Sequence, residues 1–76
     1  MPGITYTIRF HRRDRRGCIP EEQEYTVLAD AWESFRLFAE PDSAEMYTRI
    51  ELVSFDWETR EEHPIASMDF AEPYSY

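Results

Sequence analysis

Residues 47–58, YTRIELVSFDWE, are the longest strand candidate in the chain, and their apolar residues change sides halfway along. Side chains of a strand alternate between two faces with a period of two. Ile50 and Leu52 share one parity, whereas Val53, Phe55 and Trp57 share the other. Two arrangements satisfy this pattern. Either a bulge near Leu52–Val53 resets the parity, or the strand is central in a sheet and covered on both faces.

The other segments are simpler. ITYTIRFH alternates without error, with Ile4, Tyr6, Ile8 and Phe10 on one side and Thr5, Thr7, Arg9 and His11 on the other. EEQEYTVLA resumes the alternation, placing Tyr25, Val27 and Ala29 inward and Glu22, Glu24 and Thr26 outward. Asp14 and Gly17 take the first and fourth positions of a type I turn between them. A loop of Asp14 to Gly17 keeps inward residues opposite inward residues and pairs Tyr6 with Tyr25, Ile4 with Val27, Arg9 with Glu22 and Thr7 with Glu24. A loop one residue longer or shorter needs a bulge, which Pro20 can supply. DAWESFRLFAEP has helical spacing, with an apolar stripe of Ala31, Trp32, Phe35, Phe38 and Ala39. Asp30 and Glu33 resemble a capping box at its start, and Pro41 stops it. PDSAEM offers one further helical turn. TREEHP reads as a polar connection, and IASMDF as a last strand with Ala66, Met68 and Phe70 on one side.

The resulting order is β-β-α-β-β. The economical fold is α+β: a four-stranded antiparallel sheet with one helix packed on one face. Residues 1–70 form the expected domain and 71–76 a C-terminal tail. At 76 residues the chain is near the lower end of what folds alone. A domain of this size has a margin of only about 3–5 kcal/mol. An apolar fraction of 42% and an aromatic fraction of 16% nevertheless supply a core, despite a net charge of -8.

Composition narrows the chemistry. Cys18 is the single cysteine, so neither an internal disulfide nor a multi-cysteine zinc site is expected. No apolar run approaches the roughly 20 residues of a membrane span, and MPGITYTIRF lacks the regions of a signal peptide. A soluble, cytoplasmic protein is the expectation. His11 and His63 have no ligand pair at fixed spacing, the serines have no nucleophile elbow, and two glycines cannot build a phosphate loop. No enzyme activity, cofactor, metal or small-molecule substrate is expected.

Two surface features remain. HRRDRRG gathers Arg12, Arg13, Arg15 and Arg16, and residues 9–16 carry a local charge of +4 while the rest of the chain carries -12. A basic hairpin tip can reach a phosphate backbone. Glu21, Glu22 and Glu24 follow at once, however, and can neutralise it. All eight basic residues are arginine and asparagine is absent too, so codon usage in a GC-rich gene accounts for the choice over lysine. Arg12 is in phase with Ile8 and Phe10, so the strand has left the core there or its guanidinium lies over a ring. The second feature is a surplus of aromatics, Tyr47, Trp57, Tyr74 and Tyr76, of the kind that supplies buried area at interfaces.

The expected function is therefore a small non-enzymatic protein-interaction or regulatory module, with a homodimer as one form of it. Arg12, Arg13, Arg15, Arg16, Trp57, Tyr47, Tyr74 and Tyr76 are its candidate contacts. The alternatives are nucleic-acid binding through the arginine loop, and an acidic inhibitor that imitates phosphate charge to occupy a basic protein.

Overall fold

The computed structural model describes residues 3–15 and 19–70, with Arg15 described in its backbone only. Arg16, Cys18, Tyr74 and Tyr76 lie outside the described residues. Four strands, β1 (Ile4–Arg12), β2 (Glu21–Tyr25), β3 (Tyr47–Asp56) and β4 (Glu61–Asp69), form one antiparallel sheet in the order β2-β1-β3-β4. One helix, α1 (Leu28–Phe38), joins the two halves, and 3-10 turns occupy Arg13–Arg15 and Pro41–Glu45. This is the ββαββ, α+β architecture that the alternation implies.

The helix defines the inner face. Ile8, Phe10, Ile50 and Leu52 from the two central strands meet Ala31 and Phe35 of α1, with Tyr47 and Phe70 closing one end. Ile8, Ala31, Ile50 and Leu52 are completely buried. Each buried aliphatic side chain contributes about 1.5–3 kcal/mol relative to exposure, so this cluster carries most of the fold's stability. Phe10 stands edge-on to Phe38 at 4.8 Å and lies 5.3 Å from the Tyr47 ring.

The hairpin register is Tyr6 opposite Tyr25, Thr7 opposite Glu24 and Arg9 opposite Glu22, as expected, and it keeps the two inward faces together. Ile4 does not meet Val27. β2 ends at Tyr25, and Val27 is already the residue before the first helical turn, so Ile4 and Val27 are half exposed. Nor does α1 begin at a capping Asp30. It starts at Leu28 with no side-chain cap, and Asp30 sits in its first turn. The apolar stripe explains the shift, because Leu28 lies three and four residues before Ala31 and Trp32 and extends the same face by a turn. The β1–β2 connection is also longer than the four-residue turn. Pairing stops at Phe10 and Glu21, while β1 runs on to Arg12 against β3.

Of the two readings of residues 47–58, the central strand is the one observed: β3 lies between β1 and β4, and no bulge within it resets the parity at Leu52–Val53. Against β1 the strand β3 is regular through its middle, with Leu52 opposite Ile8 and Val53 opposite Thr7. Val53 therefore faces away from the helix, and it is still buried, at 3% exposure, outside the helix-face cluster. A bulge is present at the same level, in β4: Leu52 pairs with Ala66 and Val53 with Pro64, leaving Ile65 as the extra residue. β4 also begins earlier than the polar reading of TREEHP. It takes in Glu61, Glu62, His63 and Pro64, and Pro64 is tolerated there because β4 is an edge strand.

A second irregularity accounts for Tyr47. His11 pairs with Arg49 but Arg12 pairs with Tyr47, so Thr48 is an extra residue in β3. Counting by twos from Ile50 sends Tyr47 to the outer face; the extra residue returns it to the inner one, where it is 8% exposed. Tyr47 belongs to the core and is withdrawn as a surface contact.

Candidate functional site

The arginine loop is tied down by its own neighbours. The Arg12 Nε donates to Asp14 Oδ1 at 3.0 Å, and a second guanidinium nitrogen approaches Glu21 at 4.0 Å. The Asp14 carboxylate, by hydrogen bond and charge, holds Arg12 more firmly protonated than usual. Arg12 thus leaves the core at the strand's end. Arg13 does the reverse and turns back onto the domain. Its Nε donates to the Ala44 carbonyl at 2.8 Å, and its Nη2 to those of Tyr47 at 3.2 Å and Phe70 at 3.4 Å. Its backbone N–H donates to the Met46 carbonyl at 2.7 Å. Carbonyls at strand ends lack ladder partners, and a guanidinium with five donors in a fixed fork suits several of them together. Arg13 is a pin across the ends of β3 and β4. Nothing in RRDRR distinguishes it from its neighbours by sequence.

On the outer face, ion pairs and apolar groups share the sheet, and the Arg9–Glu62 pair reaches across β3 toward the apolar end. Near the loop end, Arg9 lies between two carboxylates, donating from Nε to Glu22 at 2.8 Å and from Nη1 to Glu62 at 2.9 Å. Hydrogen bonding to Glu62, then to Glu22, raises the Arg9 pKa, and the same contact holds the Glu62 carboxyl below the usual carboxylate range. His11 Nε2 lies 2.7 Å from Glu51, and Arg49 lies within 3.6 Å of Glu51 and 3.5 Å of Asp69.

Toward the opposite end, the outer face becomes apolar. Val53 lies between Thr7 and Pro64, and Phe55 lies between Thr5 and Glu62. The Phe55 and Trp57 rings meet edge-on at 4.8 Å. Trp57 Nε1 donates to Thr5 Oγ1 at 3.0 Å, and the Trp57 backbone N–H donates to the Gly3 carbonyl at 2.8 Å. These two bonds fix the indole. Thr5 is buried at 6%, while Trp57 stays 45% exposed. Asp56 makes the tight turn that carries the indole: its side chain accepts from the Glu58 backbone N–H, and its carbonyl accepts from that of Arg60. Arg60, at a positive φ of 61°, has its guanidinium 5.9 Å from the Trp57 ring centre.

The predicted contacts therefore fall into separate groups. Trp57 sits in an outer apolar cluster, Tyr47 in the core, and Arg12 and Arg13 at the other end of the sheet. Arg15 contributes only its backbone to the description. Phe55, Thr5 and Arg60 were not among the predicted contacts. The shared parity of Val53, Phe55 and Trp57 was the signal that could have found Phe55. Among the described residues no group of three or more His, Cys, Asp or Glu side chains is placed to hold a metal, and no helix is long and apolar enough to cross a membrane. The chain matches no protein-family model, no curated protein and no solved structure.

Proposed function

We propose that the chain is a small, non-enzymatic protein-interaction module, acting in the cytoplasm, whose contact surface is the outer sheet face around Trp57, Phe55 and Val53. One observation carries the reading. The outer apolar cluster is assembled and oriented like a core, yet its largest member is left half exposed. Large aromatics held in one orientation give buried area at low entropic cost, which is the usual character of an energetic centre in an interface. The sheet edges suit this role less well. β2 is short and strongly acidic, and β4 carries Pro64 and the Ile65 bulge, all features that discourage strand addition. The arginine loop ranks below the aromatic cluster as a contact because Arg12 and Arg13 already spend guanidinium donors within the chain.

The test is affinity capture from cell extract, together with light scattering across a concentration series, on the wild type and Trp57→Ala. Capture or self-association that disappears in a folded Trp57→Ala variant supports the reading. Equal behaviour of the two proteins contradicts it.

A further inference from the structure

The acidic surroundings of the Trp57 cluster narrow the chemistry of what it binds. On the outer face Glu24 stands opposite Thr7, Glu22 opposite Arg9, and Glu62 opposite Phe55. The positive charge of Arg9 is taken up by Glu22 and Glu62. The β3–β4 turn adds further acids, so residues 56–62 carry a net charge of -3 with Arg60 as their single cation. An oriented, half-exposed indole on a surface of net negative charge is suited to a guanidinium, which can lie over the ring while the acidic surroundings attract it. The molecule already contains the contact in miniature, in Arg60 over Trp57.

Resting on the reading above, we propose that the occupant of this surface is an arginine-bearing segment of a basic partner protein, whose guanidinium takes the Trp57 ring in place of Arg60. A second copy of this chain fits poorly. A two-fold interface sets the same surface against itself, and here it sets Glu24, Glu58 and Glu62 against one another in a chain of net charge -8.

The test uses fluorescently labelled peptides of alternating Arg and Leu, Glu and Leu, and Ser and Leu, titrated with the full chain at about 0.01 and 0.15 M salt. The molecule supplies its own control. Arg36 lies 6.0 Å from the Trp32 ring on the helix, so Arg36→Ser removes the same charge from an equivalent contact on the other face. The Arg–Leu peptide is expected to bind about tenfold tighter than the other two, a difference of the size one cation–π contact with a salt bridge provides. Binding is expected to weaken with salt and vanish in Trp57→Ala. Arg60→Ser is expected to tighten it several-fold and Arg36→Ser to leave it nearly unchanged. Arg60→Ser disturbs no core contact, so the test survives even if Trp57→Ala does not fold.

Equal tightening by Arg60→Ser and Arg36→Ser, or unchanged binding to folded Trp57→Ala, overturns the proposal in favour of bulk charge attraction. Equal binding of the Ser–Leu peptide overturns the arginine preference and leaves the surface itself standing. Self-association through Trp57 without peptide binding does the same and makes the second copy the occupant. No peptide binding together with no Trp57-dependent capture removes both the partner and the surface.

Discussion

The two halves of β3 send their apolar side chains to opposite sides of one sheet, and the two sides are finished differently. Ile50 and Leu52 meet a helix and become fully buried. Val53, Phe55 and Trp57 meet no second layer among the described residues. Thr5, Thr7 and Pro64 flank them, the Arg9–Glu62 pair crosses β3 beside them, and exposure grows toward the tip, from 3% at Val53 to 45% at Trp57. The one α-helix among the described residues covers the inner face. Stability therefore resides in the first half of the strand, and an unfinished apolar surface is left at the second.

Substitutions that separate the halves test this division. The largest expected effect is Leu52→Ala, which removes a fully buried side chain facing α1. Such changes cost about 2–5 kcal/mol, comparable to the whole margin of a domain this small, so the variant should be largely unfolded at room temperature. Val53→Ala, one residue along and on the other face, loses two buried methyl groups, or about 1.6 kcal/mol, and should stay folded. Urea midpoints by circular dichroism compare the pair, and equal losses would break the division.

Arg13→Met comes next. It keeps the aliphatic stem but leaves the Ala44, Tyr47 and Phe70 carbonyls without the guanidinium, and an unsatisfied buried polar group costs about 1–3 kcal/mol. Arg13→Lys should recover only part of this, since a point charge cannot follow three carbonyls as a fork does. Arg12→Met, whose partners Asp14 and Glu21 are exposed, should cost clearly less than Arg13→Met. If Arg12 and Arg13 prove equivalent in urea, the pin is not a pin.

The smallest effect is electrostatic. Arg9 depresses the Glu62 pKa in the folded state, so the pair's contribution is present above the unfolded carboxyl value and is lost as pH falls through the folded one. Both side chains are partly exposed, which limits the contribution to about 0.2–1 kcal/mol. Glu62→Gln should therefore be slightly less stable than wild type at pH 7, and indistinguishable from it only once the pH lies below the lowered folded-state pKa of Glu62. A difference that persists in acid would assign the effect to packing.

How much of this was legible follows the same division. The parity change in YTRIELVSFDWE left a bulge or two covered faces as the choices. The alternation of ITYTIRFH and EEQEYTVLA, joined by a loop of Asp14 to Gly17, set the pairing of Tyr6 with Tyr25 and Arg9 with Glu22. Periodicity carries that information because it repeats over many residues. Single-residue irregularities do not repeat. The extra Thr48 that turns Tyr47 inward leaves no trace in the pattern, and neither does the choice of Arg13 over Arg12 for the carbonyls. Pro64 in β4 was misleading because proline is excluded from central strands but tolerated on edges, and strand order is a tertiary property. Of the outer surface, Trp57 could be named from sequence, but its alignment by Thr5 and its contact with Phe55 required the sheet.

The chain has two tryptophans, and they stand on opposite sides of the sheet, Trp32 on the helix and Trp57 on the outer face. Their two indole N–H signals in a nitrogen-15 spectrum report the two faces separately during a titration with the Arg–Leu peptide. The Trp57 signal is expected to move progressively while that of Trp32 stays in place. Movement of Trp32 alone, or binding that leaves Trp57 unmoved, would contradict the assignment of function to the unfinished face.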